Sequence, residues 1–78
     1  MNGALLKIRS ELENSVGKKV AFRANRGRRK SYMNEGVLED TYDIVFTIMV
    51  QEGTRLQRHC YTYGDILTKN VVLKVLPS

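Results

Sequence analysis

The chain has 78 residues and carries thirteen Lys and Arg against eight Asp and Glu, a formal net charge of +5. This length allows one small domain, residues 1–78, whose core is modest. No apolar stretch approaches the roughly 20 residues of a membrane span, and charges interrupt the start of the chain where a signal peptide would be apolar. We therefore expect a cytoplasmic protein without a membrane partner. A second copy of the chain is a candidate partner, because so small a core is only marginally stable.

The first predicted element is an amphipathic helix over residues 3–16. Its apolar side chains recur at spacings of three and four, which places them on one face. These side chains are Leu5, Ile8, Leu12 and Val16.

Five strands are predicted after the helix. Residues 18–24 alternate between apolar and other side chains, which is typical of a half-buried strand with cations on its solvent side. The second strand contains Gly36, which suits a sharp bend, and the turn between the third and fourth strands is built on Gly53. Asp65 lies in a segment too short for a helix, and it is predicted to cap a tight turn. The four later strands are predicted at residues 31–40, 44–50, 55–63 and 71–76.

Turns every eight to twelve residues are typical of a small sandwich or barrel. The predicted fold is mainly β, a small five-stranded SH3-like or Sm-like barrel over about residues 18–76, with an N-terminal α-helix over about residues 3–16. An OB-type barrel fits less well, because it usually has a helix between the third and fourth strands, where this chain has only a short turn.

Positive charge is concentrated in one segment. Seven of the thirteen cations lie between Lys18 and Lys30, and no acid lies among them. Arginine binds phosphate and carboxylate oxygens through a planar fork, and Gly27 allows the backbone to turn. We predict that this segment binds an anionic partner, although a charge run can also be a solvated loop. The predicted site residues are Lys19, Arg23, Asn25, Arg26, Gly27, Arg28, Arg29 and Lys30.

An aromatic row is predicted on the fourth strand, where His59, Tyr61 and Tyr63 share one face. Tyr61 and Tyr63 are candidates for stacking on nucleic-acid bases, as in small barrels that bind single strands. The alternative is that these rings face inward and belong to the core. The sequence alone favours the core interpretation and leaves the stacking interpretation open.

No catalytic, metal or cofactor site is predicted. His59 and Cys60 are adjacent on a strand, so they point to opposite faces and cannot easily form a nucleophile–base pair. The chain has one His and one Cys, too few for a zinc site. Glu39, Asp40 and Asp43 have the spacing of a turn between two strands. We therefore expect a protein that is not an enzyme.

Several segments together resemble the Veg family of small proteins from Gram-positive bacteria. The matching segments are VGKKV, ANRGRRK, EGVLEDTYDIVFTI and RHCYTYGDILTKNVVL, which together cover nearly the whole chain. The resemblance implies a small barrel, a cytoplasmic location and a role in stimulating biofilm formation through transcriptional regulation. It implies no enzymatic activity and no cofactor, and it assigns no ligand residues.

Two functions remain open from the sequence. In the first, the chain binds a regulator protein or nucleic acid through the basic strand and loop, and thereby acts on transcription linked to biofilm formation. In the second, the chain is a general RNA- or DNA-binding module without a protein target. Fold alone does not decide between them, because small barrels bind RNA, DNA and peptides alike.

Overall fold

The computed structural model describes residues 3–27 and 30–77. All five predicted strands are present, each within two residues of its predicted ends. Among the described residues, no helix is long and apolar enough to cross a membrane. The elements in chain order are α1 (Gly3–Glu13), β1 (Lys19–Asn25), β2 (Ser31–Thr41), β3 (Val45–Glu52), β4 (Arg55–Thr62), α2 (Tyr63–Leu67) and β5 (Val71–Val75).

The five strands form one antiparallel sheet in the order β4-β3-β2-β1-β5. β4 and β5 are the edges, and within the described ranges no strand pairing joins them. The sheet is therefore open, and the closure of the predicted barrel is not observed. The alternation predicted for residues 18–24 is confirmed, because burial follows a period of two along β1.

The sheet is strongly curved around its buried face. The ring of Phe22 on β1 lies 5.9 Å from the ring of Tyr61 on β4, although β2 and β3 lie between these strands. In a flat sheet, strands three positions apart would be separated by about 14 Å. Gly36 lies at the bend of β2, opposite Val20, and a register shift between Leu38 and Asp40 follows it. These irregularities allow β2 to pair with β1 along one half and with β3 along the other.

The core lies on the concave side of this curved sheet. Apolar side chains from all strands except β4 are buried there, and Tyr63 from α2 closes it with a side chain only 1% exposed. The buried apolar residues are Leu12, Val20, Phe22, Ala24, Leu38, Phe46, Ile48, Val50, Tyr63 and Val71.

The N-terminal helix is shorter than predicted. It ends at Glu13 instead of residue 16, because the chain tightens into a turn in which the Ser15 N–H donates to the Leu12 carbonyl at 2.9 Å. Gly17 then adopts a φ of 89°, a left-handed conformation that favours glycine. Leu12 is buried as predicted, whereas Val16 lies beyond the helix end and is exposed.

The segment after β4 is a one-turn helix, α2, where the sequence predicts only a tight turn. The Asp65 N–H donates to the Thr62 side chain at 3.0 Å, and the Thr62 N–H donates to Asp65 Oδ2 at 3.1 Å. This reciprocal capping box stabilises a helix that is too short to show a hydrophobic period. The prediction that Asp65 accepts a backbone hydrogen bond is confirmed.

Candidate functional site

The cations of β1 lie on the sheet face opposite the core. Val20, Phe22 and Ala24 are buried, so the alternating positions point outward. Lys19 and Arg23 are exposed there, and neither side chain has an ion pair or hydrogen bond within the described part of the chain. Both charges are therefore available to a partner.

The loop between β1 and β2 is narrow at its base. The Arg26 N–H donates to the Lys30 carbonyl at 2.9 Å, and the Lys30 N–H lies 3.4 Å from the Gly27 carbonyl that it donates to. Gly27 has a φ of 98°, so the predicted need for glycine at this position is confirmed. Arg28 and Arg29, also predicted as site residues, lie outside the described residues.

A small open groove lies at the base of this loop, and we call it the loop groove. Its volume is about 320 Å³. It brings together four of the predicted site residues with one that the sequence analysis did not select, Ser31. The loop groove is lined by Arg23, Asn25, Gly27, Lys30 and Ser31.

Arg26 does not line the loop groove. Its guanidinium carbon lies 4.2 Å from the centroid of the Tyr32 ring, a cation–π arrangement on the inner side of β2. The predicted patch is therefore divided. Arg23, Asn25, Gly27 and Lys30 lie together, while Arg26 stabilises an aromatic cluster.

Apolar side chains flank Arg23 on the outer side of the sheet. Arg23 is paired with Met33 on β2 and with Val72 on β5, so the three side chains form a row across three strands. Met33 is 72% exposed and Val72 is 42% exposed. We call the outward side chains of β1, β2 and β5 the outer face. It consists of Lys19, Ala21, Arg23, Asn25, Ser31, Met33, Glu35, Val37, Val72 and Lys74.

Met33 and Val72 are not among the functional residues predicted from the sequence. The signal that could have identified them was present, because the alternation of β2 places Met33 and Val37 opposite the inward Tyr32. Pairing that alternation with β1 would have placed Met33 beside Arg23.

Arg58, which points outward from β4, is neutralised. Arg58 on β4 donates two hydrogen bonds to Glu39 on β2, at 2.5 and 3.1 Å, and Thr47 donates a third at 3.1 Å. The hydrogen bonds from Arg58 hold the pKa of Glu39 below its ordinary value. Arg58 on β4 therefore has an acidic partner, whereas Lys19 and Arg23 on β1 have none among the described residues.

The inward face of β2 and β4 carries an aromatic and polar cluster. The Tyr32 and His59 rings stack 5.5 Å apart, and the Tyr32 hydroxyl donates to Glu52 Oε1 at 2.7 Å. Asn34 donates to the Tyr32 hydroxyl, also at 2.7 Å. Burial raises the pKa of the Tyr61 hydroxyl in the same cluster. The cluster fills one end of the curved sheet.

The two tyrosines predicted for base stacking have different environments. Tyr63 is buried, stacks on Phe46 at 5.8 Å and donates its hydroxyl hydrogen to the Tyr42 carbonyl at 2.6 Å. A buried ring cannot offer a face to a base, so the stacking role predicted for Tyr63 is wrong. Tyr61 is half-buried and packs against Phe22 and Phe46. The core interpretation of the aromatic row is the one that fits the structure.

Within the described residues, no group of three or more His, Cys, Asp or Glu side chains could hold a metal ion. His59 points inward, whereas Cys60 is exposed on the other side of β4. The two side chains are therefore separated by the sheet, as their adjacency in the sequence predicts.

Comparison with known proteins identifies a family whose members the chain resembles. A family model described as biofilm formation stimulator VEG matches residues 3–74, almost the whole chain. No curated protein matches the sequence.

Proposed function

The chain belongs to the Veg family of biofilm formation stimulators, and from this premise we propose that it is a non-enzymatic regulator that acts in the cytoplasm by binding a transcription regulator protein. The outer face is the proposed binding surface. The observation that carries this proposal is the row in which unpaired Arg23 lies between exposed Met33 and Val72. Arg and Met are enriched in protein interfaces, and Arg is common among the residues that dominate binding energy.

The composition of the outer face favours a protein partner over nucleic acid. Proteins that bind single strands without sequence preference stack bases on aromatic side chains beside a cationic groove. Among the described residues, the outer face has no aromatic side chain, because Phe22 and Tyr32 both point inward. Aliphatic and thioether side chains beside cations instead suit a partner surface that is apolar and acidic.

We extend the proposal to the fold and suggest that the curved sheet is a small, partly open barrel of the SH3-like or Sm-like type. The ring contact between Phe22 and Tyr61 across two intervening strands supports this interpretation. Further support comes from α2, which packs against both edge strands, β4 and β5. In such a barrel the outer faces of β1, β2 and β5 are a continuous platform.

Site-specific photo-crosslinking tests the proposed surface. A photoreactive residue replaces Met33 on the outer face in one variant, and it replaces Leu56 on β4, outside that face, in the control variant. These side chains are matched, at 72% and 68% exposed. We expect the probe at position 33 to trap a protein in cells, with a product that survives nuclease. Adding Arg23→Gln to this variant should reduce the trapped amount by about tenfold, because a hydrogen bond to a charged group is lost.

Two results would contradict the proposal. Equal trapping from positions 33 and 56 would show that the outer face is not the specific surface. A product that nuclease removes would show that the chain binds nucleic acid, the alternative that the sequence left open.

A further inference from the structure

The loop groove has properties that the remainder of the outer face lacks. The residues that line it carry five different hydrogen-bond donors: a guanidinium, an ammonium, a hydroxyl, a side-chain amide and a backbone N–H at a residue with positive φ. Those side chains have no hydrogen bond or ion pair with another described residue. They belong to Arg23, Lys30, Ser31 and Asn25.

The charged side chains that line the loop groove are positive. Arg23 and Lys30 line it, and no acidic side chain does among the described residues. The acid of the adjoining groove, Asp65, is directed towards α2, where it accepts a hydrogen bond from the Thr62 N–H. An anion in the groove would therefore meet cations and neutral donors alone.

We propose that the loop groove binds the phosphoryl group of a phosphorylated side chain on the partner protein. This inference rests on the proposed function, because it names the chemistry of one part of the same partner surface. A phosphoryl group carries a charge of about −1.5 to −2 and three acceptor oxygens. A carboxylate is planar and has two oxygens, so it would leave part of this varied donor set without a partner.

The neighbouring part of the outer face distinguishes a single phosphoryl group from a nucleic-acid backbone. Beyond Arg23 the surface is apolar at Met33 and Val72, and the next row carries an acid, Glu35, and a cation, Lys74, on either side of Ala21. A polynucleotide would bring further phosphates over these apolar side chains and towards a row whose two charges cancel, so those phosphates would gain no net attraction there. A phosphorylated side chain needs one anion site, and an apolar neighbour in the same peptide can pack on Met33.

Inorganic phosphate is the first probe of the loop groove. Nuclear magnetic resonance of the whole chain, titrated with phosphate and with chloride at equal ionic strength, follows the amides of Gly27, Lys30 and Ser31. We expect saturable shifts with phosphate and not with chloride. Arg23→Gln should weaken the binding by about tenfold or more. Arg55→Gln should leave it unchanged, because exposed Arg55 lies on β4, outside the groove.

Equal shifts with phosphate and chloride, or unchanged phosphate binding by Arg23→Gln, would overturn the proposal. The proposed function would survive that result if the probe at Met33 still trapped a protein. Phosphate binding in the loop groove and protein binding at the outer face can therefore be contradicted independently.

The source of the phosphoryl group is tested by competition. We expect a short peptide with phosphoserine beside leucine to bind more tightly than phosphate, and more tightly than the same peptide with serine. Met33→Ala should remove the advantage over phosphate while the phosphate affinity itself stays unchanged. A single-stranded oligonucleotide that competes better than the phosphopeptide would overturn the assignment to a protein side chain.

Discussion

Individual residues fix the curvature of the sheet, and Gly36 is the clearest example. A Cβ atom at this position would lie 2.5 Å from the Met49 carbonyl oxygen and 2.8 Å from Ile48 Cγ2. The first contact is with backbone, which cannot move aside without breaking the pairing of β2 with β3. The absence of a side chain at Gly36 therefore allows the close approach of these two strands.

Gly36→Ala should consequently destabilise the fold by about 1–3 kcal/mol, the usual cost of overpacking. Chemical denaturation followed by circular dichroism measures this change in the free energy of unfolding. The matched control is Gly3→Ala, since nothing lies within 4 Å of a Cβ atom at Gly3. Equal stability of the two variants would contradict the close approach at Gly36.

Glu52 makes stability depend on pH. The hydrogen bond from Tyr32 holds the pKa of Glu52 below its ordinary value, against the opposing effect of burial. A carboxyl whose pKa is lower in the folded state stabilises the protein above its unfolded pKa, and this contribution is lost as the pH falls through the folded pKa. Acidification below about pH 4.5 should therefore destabilise the protein, in part through Glu52.

Glu52→Gln should reduce this acid-dependent loss of stability, which denaturation at a series of pH values can measure. Glu11→Gln on α1 is the control, because the Glu11 side chain has no ion pair or hydrogen bond within the described residues. If Glu52→Gln and the unaltered protein lose the same stability on acidification, the Tyr32–Glu52 hydrogen bond has no such role.

At the scale of elements, α2 connects the two free edges of the sheet. It follows β4 directly, precedes β5 and packs against both. Its short length means that the capping box between Thr62 and Asp65 supplies much of its local stability. Loss of the capping box should therefore destabilise β5 as well as the helix.

Thr62→Ala should destabilise the protein by about 1 kcal/mol, the usual cost of losing an N-cap side chain. Hydrogen exchange should become faster in α2 and along Val71–Val75. Thr54→Ala in the β3–β4 turn serves as the control, because that exposed side chain has no hydrogen bond within the described residues. Unchanged exchange in β5 would show that α2 does not hold this edge.

The strands and helices also show which features of the fold the hydrophobic periodicity of the sequence can predict. Burial alternates along β1 as the sequence predicts, because one face of the strand packs on the core. The end of α1 and the presence of α2 were not predictable in this way. Both depend on a few local hydrogen bonds at helix ends, and neither segment is long enough there to give a hydrophobic period.

At the scale of the whole molecule, the outward cations of β1 differ from Arg58 of β4 in having no acidic partner within the part of the chain that the structure describes. Arg58 is neutralised by Glu39 over β3 and β4, whereas Lys19 and Arg23 are unpaired over β1. Sequence alone predicts the cationic strand, because its cations lie in one segment. It does not predict the apolar neighbours of Arg23, which come from β2 and β5 and become neighbours only through strand pairing.

Biofilm formation by cells that carry matched double variants tests the outer face most directly. Arg23→Gln with Met33→Ser removes one cation and one exposed apolar side chain from the outer face. Arg55→Gln with Leu56→Ser removes the same two types from the start of β4, where both side chains are exposed. Protein levels and circular dichroism spectra are first shown to be equal. We predict that the first pair abolishes the stimulation of biofilm formation and that the second pair preserves it. Full stimulation by the Arg23 and Met33 variant would show that the protein does not act through the outer face.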